Sequence, residues 1–256
     1  AGEISIDGTR LAAGAHAMQQ QLGYLPENLP LYPEMMVADY LDYIATLKGI
    51  AKGQRMQAVR EAVTATDLGA RALDAIDTLS RGLKQRVAVA QPILGRPRLL
   101  ILDEPANGLD VHHTDHMRTL IRQLARRATI ILSTHIMQEV EAVCDRVLVL
   151  RNGRLVLDES LQALRYTRSL QLKTCGSAAD LPAYLSRLPQ VSAVEADREA
   201  MEFTLQLHDN ADIDTAANNV ARCVMEAGAR LFRLQPLERD LDAVFREAIG
   251  VPSSGA

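Results

Sequence analysis

The sequence predicts an α/β protein in which a parallel sheet with a helical subdomain is followed by a small α+β domain. Residues 99–102 (LLIL) and 130–132 form short apolar runs, as strands buried on both faces do. Segments with apolar residues at helical spacing lie between the strands, and this alternation is typical of a parallel sheet. After about residue 164 the pattern changes to clean polar/apolar alternation, which predicts the second domain.

The chain before the first apolar run predicts short strands and then helices. Residues 3–6 alternate before an Asp7-Gly8 turn, and residues 21–25 lead as a strand to Pro26. Two helices follow over residues 37–50 and 54–68. They form a helical subdomain, about residues 37–95, with a third helix that starts after Ser80 and contains Pro92. Because proline lacks an N–H, we expect Pro92 to kink the last turns of this helix.

The segments after residue 102 continue the α/β pattern. A helix is predicted from about Thr114, then strands over 130–132 and 147–150 in the parallel sheet. Between these strands a helix should turn Val140, Val143 and Cys144 inward. The predicted face of the helix from Thr114 contains Met117, Leu120, Ile121 and Leu124.

The second domain is predicted from two strands and two helices. Residues 169–173 and 201–207 alternate as half-buried strands, and residues 213–224 and 241–248 have helical spacing. The closing helix should bury Leu241, Val244 and Phe245. We therefore predict domains over residues 1–164 and 165–250, and a flexible tail over 251–256.

Composition limits the partners of this chain. Its 256 residues carry a net charge of −4 with basic residues scattered along the sequence, so neither nucleic acid nor an anionic membrane surface is an expected partner. No apolar run approaches the roughly 20 residues of a membrane span, so no direct membrane insertion is expected. Three widely spaced cysteines indicate free thiols. The expected location is cytoplasmic.

Two adjacent acids give the first chemical signal. Asp103 and Glu104 end the apolar strand, at the edge of a parallel sheet where ligands bind in open α/β folds. This chemistry suits nucleotide hydrolysis, with Asp103 helping to hold Mg²⁺ and Glu104 accepting a proton from the attacking water. The alternative is an ordinary strand that ends in an acidic turn.

Three motifs surround these acids in a fixed order. LSRGLKQRV (79–87) precedes the strand, NGLD (107–110) follows it, and STH (133–135) ends the next strand. In this order the chain resembles the ATP-binding cassette (ABC) ATPases, whose signature is LSxGxxQR and whose Walker B strand ends in DEP. The five specified letters of the signature are matched by Leu79, Ser80, Gly82, Gln85 and Arg86.

The resemblance implies a P-loop NTPase-like fold and a site shared between two chains. In this family the signature of one protomer caps the ATP that the other holds, so Ser80, Gly82 and Gln85 would bind ATP across a dimer. Asp110 would be the D-loop carboxylate at the dimer seam. Considered alone, Ser80 is better explained as a helix N-cap, and Asp110 can be an N-cap and the D-loop carboxylate at once.

The resemblance also assigns catalytic and metal-binding residues. Glu104 and His135 would be catalytic, with His135 reaching the γ-phosphate or orienting water, although a histidine after a strand can be purely structural. Asp103 and Glu27 would bind Mg²⁺. Glu27 stands at the Q-loop position, where many members have glutamine; a solvated loop acid is the alternative.

Three nearby histidines suggest a competing metal site. His112 and His116 are four residues apart and share a helix face, as chelating pairs do. His113 falls in line with Met117 instead, so helical spacing does not form one cluster of three. A histidine-rich helix start near a dimer surface is the simpler interpretation.

The printed residues contain no Walker A loop. The motif G-x-x-x-x-G-K-[ST] supplies backbone N–H groups and a lysine to the phosphates, and this sequence has no Gly-Lys pair. In the family that loop precedes a segment like GEISIDG (2–8), and its strand lies inside the sheet, so its absence should leave unpaired edges. We expect an N-terminally incomplete cassette, from truncation or a late start assignment, that is inactive alone. True degeneration is the alternative.

The most consistent function is the ATP-hydrolysing subunit of an ABC transporter. It would work as a homodimer or with a paired ABC ATPase, peripheral at the inner face of the membrane, with residues 37–68 touching a permease. The ending LERDLDAVFREA (237–248) resembles the extension of ABC-2-type exporter ATPases and favours export. The alternatives are a non-catalytic partner that lends only its signature and a soluble ABC ATPase of repair or translation. The sequence does not identify the transported molecule.

Overall fold

A computed structural model of the chain describes residues 3–6, 8–10, 21–28, 30–175, 180–197 and 201–249. Asp7 of the predicted first turn and the predicted tail, 251–256, lie outside the described residues. The chain divides into two compact units, one ending at Val143 and one beginning at Cys144. The second unit thus begins before the boundary at residue 164 that the sequence suggests, because a hairpin over residues 146–160 belongs to it.

Three parallel strands form the sheet of the first unit. They are β3 (Leu22–Leu25), β4 (Leu99–Asp103) and β5 (Thr129–Ser133), in the order β3-β4-β5. Before them in the chain, β1 (Ser5–Ile6) and β2 (Thr9–Arg10) pair as a separate antiparallel sheet of two short strands. The register pairs Leu22 with Leu99 and Asp103 with Ser133. The carboxyl ends of the strands therefore share one edge, which confirms the predicted parallel sheet around β4.

Five α-helices of the first unit lie in the described ranges. They are α1 (Val37–Leu47), α2 (Lys52–Ala65), α3 (Arg81–Ile93), α4 (Val111–Ala125) and α5 (Met137–Val143), with 3₁₀ turns at Gly69–Arg71 and Ile76–Thr78. The three predicted helices of the subdomain are confirmed. They enclose a core that also includes Leu100 of β4, and its larger members are Val37, Tyr40, Leu41, Leu68, Ile76, Val87 and Leu94.

The signature helix α3 runs through Pro92 to Ile93. Its C-terminal carbonyls receive hydrogen bonds from the Lys48 ammonium, at 2.9 Å to Pro92 O and 3.3 Å to Leu94 O. A cation at this end also complements the helix dipole. Burial lowers the pKa of Lys48 to about 8. The proline-containing last turn is thus stabilised from α1's C-terminal end.

Helices α4 and α5 differ in detail from the sequence-based expectation. Helix α4 begins at Val111 rather than near Thr114, because Asp110 caps it. Its residues Met117, Leu120 and Ile121 are buried as predicted, and Leu124 is half-buried. In α5 the inward position belongs to Glu139, which is 3% exposed. Of the three residues predicted to point inward, Val143 packs against the core, and Val140 and Cys144 are half-buried like Val143.

The segment 147–150 is not part of the parallel sheet, so that prediction is wrong. It lies in β6 (Arg146–Arg151), which pairs antiparallel with β7 (Arg154–Ser160) as a separate two-stranded sheet. The physical reason is the turn between them, where Asn152 and Gly153 have φ values of 50° and 73°. Asn-Gly with two positive φ angles forms the type I′ turn that closes tight hairpins.

The rest of the second unit adds a four-stranded antiparallel sheet. Helix α6 (Leu161–Arg165) leads to β8 (Tyr166–Cys175), α7 (Leu181–Leu185), β9 (Val191–Asp197), β10 (Glu202–Leu207), α8 (Ile213–Glu226), β11 (Arg230–Glu238) and α9 (Leu241–Ile249). The strand order β11-β8-β10-β9 is the split βαβ arrangement of an α+β domain. Leu170, Leu172 and Leu205 lie in its core. In α9, Leu241 and Phe245 are buried and Val244 is half-buried.

Helix α4, with 15 residues, is the longest helix in the described ranges. None of the helices described there combines the length and apolarity needed to cross a bilayer.

Candidate functional site

The carboxyl edge of the parallel sheet holds the two predicted acids. Asp103 is the last residue of β4, and Ser133 at the end of β5 donates from Oγ to Asp103 Oδ1 at 2.5 Å. The next residue, Glu104, donates its N–H to Ser133 O at 2.9 Å and has a φ of 47°. A non-glycine residue in the left-handed region is strained, and such residues concentrate at functional sites. The chain therefore turns sharply out of the strand at Glu104.

Glu104 and His135 form a hydrogen-bonded pair. His135 Nδ1 lies 2.8 Å from Glu104 Oε1, with 16% of the glutamate side chain and 70% of the histidine side chain exposed. The hydrogen bond to Glu104, and then the charge of the same carboxylate, raise the pKa of His135. The nearby charges of Glu139 and Glu27 act in the same direction. The pair places a largely buried carboxylate beside an exposed histidine, an arrangement suited to acid-base chemistry.

Thr134 and Glu139 extend this pair inward, and sequence reasoning missed both. Thr134 Oγ1 donates to Glu139 Oε2 at 2.9 Å, accepts the Ile136 N–H at 3.1 Å, and lies 3.4 Å from Glu104 Oε2. The available signal was helical spacing: Ile136, Glu139 and Val143 stand at i, i+3 and i+7, which puts the acid on the inner face of α5.

Glu27 lies at the same edge of the sheet. It follows β3, and its Oε1 accepts a long hydrogen bond, 3.5 Å, from the side-chain amide of Asn107. Its carboxylate contributes to the electrostatic environment of His135. The structure thus brings together the four residues Glu27, Asp103, Glu104 and His135.

The signature residues lie at the start of α3, against the loop that follows Glu104. Exposed Ser80 is the N-cap, with Oγ accepting from Leu83 N at 3.3 Å. Gln85 Nε2 donates to Pro105 O at 2.8 Å, and Arg81 donates to Asn107 O at 3.4 Å. Three hydrogen bonds thus order this segment and tie it to the loop.

Gly82 and His113 fix the contact between α3 and α4. Gly82 is buried, and a Cβ placed on it would overlap the His113 ring. His113 is held in turn by Asp110, whose Oδ1 accepts its backbone N–H at 2.9 Å and whose two oxygens each lie 2.8 Å from Nδ1. The backbone hydrogen bond, followed by that of the ring, lowers the pKa of Asp110. Asp110 is therefore an N-cap in this structure.

The remaining histidines stack on each other. The ring centroids of His112 and His116 are 4.6 Å apart, while His113 faces Asp110 and Gly82. Across the described ranges, no three His, Cys, Asp or Glu side chains are grouped to hold a metal ion. The three imidazole rings therefore do not form one site: His112 and His116 contact each other, and His113 contacts Asp110 and Gly82.

The predicted residues form two neighbouring clusters. One contains Glu27, Asp103, Glu104 and His135, and the other contains Ser80, Gly82, Gln85 and Asp110. Among the residues that the structure describes, no hydrogen bond or ion pair joins Ser80, Gly82 or Asp110 to the acids of the first cluster. The loop over residues 105–110 connects the clusters.

Comparisons with known proteins identify the family of this chain. The family model described as "ABC transporter" matches residues 1–107. "ATP-binding cassette sub-family A member 9" of Homo sapiens is 34% identical over 197 residues, which are 73% of this chain and 12% of that protein. The "Uncharacterized ABC transporter ATP-binding protein YxlF" of Bacillus subtilis (strain 168) is 27% identical over 251 residues, 97% of this chain and 83% of that protein.

A solved structure gives the same result. "Structure of ATP binding subunit of ABC transporter" is 32% identical, with a TM-score of 0.55, and the match covers 64% of this chain and 69% of that one. The chain spans only about an eighth of the human relative but most of the bacterial one. The fold, the ordered motifs and these likenesses together show that the chain belongs to the ATP-binding proteins of ABC transporters.

Proposed function

We propose that this chain hydrolyses ATP as one half of an ABC exporter's ATPase dimer, with Glu104 as the general base. The observation that carries the proposal is the Glu104–His135 pair at the carboxyl edge of the parallel sheet, with its 2.8 Å hydrogen bond. A base needs an acceptor oxygen that is positioned and poorly solvated, and Glu104 has both properties.

The carboxylates at this edge suit Mg²⁺ with ATP. Asp103 and Glu27 offer hard oxygen ligands, and Mg²⁺ in nucleotide sites typically takes one or two carboxylates together with phosphate and water oxygens. A full cage of protein side chains is therefore not required. When bound, the ion would neutralise phosphate charge. Asp103, fixed by Ser133, and Glu27 are the residues that would hold it.

The chain's own residues would divide the chemistry between them. Glu104 would accept the proton of the attacking water, since His135 engages only its Oε1. His135, largely exposed, would hold Glu104 and face the γ-phosphate. His135 is exposed, and a strained backbone such as that of Glu104 is typical of functional sites.

The second cluster would serve the ATP of another chain. Ser80 is exposed at the start of a 13-residue helix, where backbone N–H groups and the helix dipole favour an anion. Gly82, Gln85 and Asp110 would complete this surface across a homodimer or a pair with a related ATPase. The 256 printed residues contain no Gly-Lys pair, so we propose that they do not turn over ATP without a phosphate-binding loop.

ATP hydrolysis by this chain would drive transport through a membrane permease. The helices over residues 37–68 expose Tyr43, Leu47 and Met56, at 42%, 60% and 74%, as a docking surface requires. Docking would place the chain at the inner face of the cell membrane. We propose export because residues 237–248 resemble the ending of ABC-2-type exporter ATPases. One relative, the "Linearmycin resistance ATP-binding protein LnrL" of Bacillus subtilis (strain 168), is 30% identical over 60% of this chain and half of that protein, and its name links it to resistance.

The test is the substitution Glu104→Gln in the assembled ATPase, meaning this chain with the phosphate-binding loop and permease that the proposal requires. Gln keeps the shape of the side chain and removes its basicity, so ATP should still bind while turnover falls by at least about 100-fold. Glu159→Gln, an exposed acid of the second unit, is the matched control and should change nothing. Unchanged turnover in Glu104→Gln would refute the general-base role.

A second candidate is a non-catalytic partner that lends only its signature. The observation that favours it is exposed Ser80 at the start of α3, because in the described ranges no hydrogen bond joins this residue to the acids of the first cluster. In that case Ser80→Asp would abolish turnover of the assembled ATPase, whereas Glu104→Gln would leave it unchanged. The two candidates therefore predict opposite results for the same Glu104 variant.

A further inference from the structure

Glu139 is an acidic side chain buried behind the Glu104–His135 pair. It is 3% exposed and lies on the short helix α5. Its Oε2 accepts from the Thr134 hydroxyl, and its Oε1 is buried with no hydrogen-bond partner among the described residues. A buried acid with one unsatisfied oxygen is unfavourable for stability alone, so a role in the site is the better explanation.

The Thr134 hydroxyl stands between two acceptors but carries only one hydrogen. Glu139 Oε2 lies at 2.9 Å and Glu104 Oε2 at 3.4 Å. Hydrogen bonds between hydroxyl and carboxylate oxygens are normally shorter than 3.0 Å, so the hydrogen goes to Glu139. One lone pair of Thr134 Oγ1 accepts the Ile136 N–H, which restricts the direction of the hydroxyl and leaves its second lone pair available.

The direction of the Thr134 hydroxyl determines whether Glu104 Oε2 receives a hydrogen bond. His135 occupies Oε1, so Oε2 is the oxygen left to receive a proton. A hydrogen bond donated to Oε2 would occupy the oxygen that the attacking water needs as its acceptor. Glu139 therefore competes with Glu104 for the only hydrogen that Thr134 can donate.

We propose that Glu139 is a positioning residue that holds the Thr134 hydroxyl away from Glu104 and so keeps Oε2 open for the attacking water. The inference rests on the proposed role of Glu104. Glu139 does not touch substrate and acts only through Thr134.

The critical variant is Glu139→Gln in the assembled ATPase. The amide oxygen of Gln is a weaker acceptor than the Glu104 carboxylate and its NH₂ group can donate to Thr134 Oγ1, so the hydroxyl hydrogen should turn towards Glu104 Oε2. We expect kcat to fall about tenfold, the effect of one hydrogen bond to a charged group, with KM for ATP unchanged. Because Gln has the shape of Glu, folding should persist, and a melting curve checks this.

Rescue distinguishes positioning from a structural role. In Glu139→Gln/Thr134→Val the competing hydroxyl is gone, so kcat should return to within about twofold of the wild-type value. If Glu139 merely supports the fold, the double variant will be at least as impaired as Glu139→Gln, and that result would overturn the proposal.

His135 offers a readout that needs no turnover. NMR titration of the 256-residue chain should show a lower pKa for His135 in Glu139→Gln than in the wild type, partly from the lost charge. Adding Thr134→Val should raise that pKa again, since Glu104 then interacts with His135 alone. Glu27 and Glu104 are unchanged in both variants, so their charges cancel from the comparison. An unaltered pKa on adding Thr134→Val would contradict the inference.

The proposed function and this inference fail differently. Full turnover in Glu104→Gln would remove the basis of both. Loss of turnover in Glu104→Gln without rescue in the double variant would leave the function in place and overturn only the role of Glu139.

Discussion

Replacing Gly82 with alanine tests how tightly the signature helix packs against α4. Gly82 is the second residue of α3 and is buried, and an added Cβ would overlap Cδ2, Cγ and Nε2 of His113. The ring cannot simply swing aside, because its Nδ1 is held 2.8 Å from Asp110. Relief therefore requires either a shift of α3 or the loss of that hydrogen bond.

Two opposing effects set the magnitude. Overpacking a well-packed site typically costs about 1–3 kcal/mol. Alanine is the better helix former, which offsets up to about 1 kcal/mol. Because the overlap involves three ring atoms, the packing cost should win, and we expect a net loss of about 1–2 kcal/mol in the free energy of unfolding.

Urea unfolding with a matched control isolates the contact. Gly53 is the second residue of α2, and an added Cβ there meets no atom within 4 Å. Gly53→Ala should therefore stabilise the chain by a few tenths of a kcal/mol to about 1 kcal/mol. The two variants share helix position and chemistry and differ only in what the new methyl group touches.

The double variant Gly82→Ala/His113→Ala supplies the decisive comparison. Removing the ring should recover most of the stability lost in Gly82→Ala relative to His113→Ala alone. If Gly82→Ala is as stable as Gly53→Ala, or if the loss persists without the ring, the described contact does not determine the packing of α3.

Two other predictions concern helix α3. Ser80→Ala should lower the free energy of unfolding by about 1 kcal/mol, because the hydrogen bond that caps the helix at Leu83 is lost. Ser80→Asp should keep this cap but abolish turnover of the assembled ATPase, because its negative charge repels phosphate. Equal turnover in Ser80→Asp and the wild type would show that Ser80 acts only as a cap. Lys48 has a folded pKa of about 8, below its unfolded value near 10.5, so the unfolded chain binds more protons between these values and stability should rise with pH. Urea unfolding should show a rise of up to about 2 kcal/mol from pH 7.5 to 9.5 in the wild type relative to Lys48→Met, and parallel pH profiles would contradict it.

The acids at the sheet edge were predictable because their signals are local. A continuous apolar run marks β4, and parallel strands end at one edge, so Asp103, Glu104 and the residues after β5 had to be neighbours. The sequence signals for the two helix caps are local as well. Ser80 and Asp110 each accept a backbone N–H three residues ahead, which their position before a helix already indicates.

Features that depend on distant partners were not predictable in the same way. The contact of Gly82 with His113 joins two helices that lie far apart in sequence, and no periodicity identifies it. Helical spacing places Glu139 on the inner face of α5, but it does not indicate the hydrogen bond that Thr134 donates to this buried acid. The order of the four antiparallel strands in the second unit is likewise a property of the sheet and not of any one strand.

The antiparallel pairing of β6 with β7 was predictable from the sequence. Its apolar alternation suits either a parallel or an antiparallel partner, but Asn152-Gly153 between two apolar segments is a strong local signal for a hairpin. This turn predicts that residues 146–160 form a hairpin of their own and not a strand of the parallel sheet.

The central claim is that a complete site takes Glu104 from one chain and Ser80 from another, and mixing two inactive variants tests it most directly. Each mixed dimer of Ser80→Asp and Glu104→Gln chains would contain one doubly defective site and one intact site. With random assembly, half of the dimers are mixed, so turnover should recover to about a quarter of the wild-type rate. If each chain instead completes its own site, every site keeps one defect, and the mixture will be as inactive as its parents.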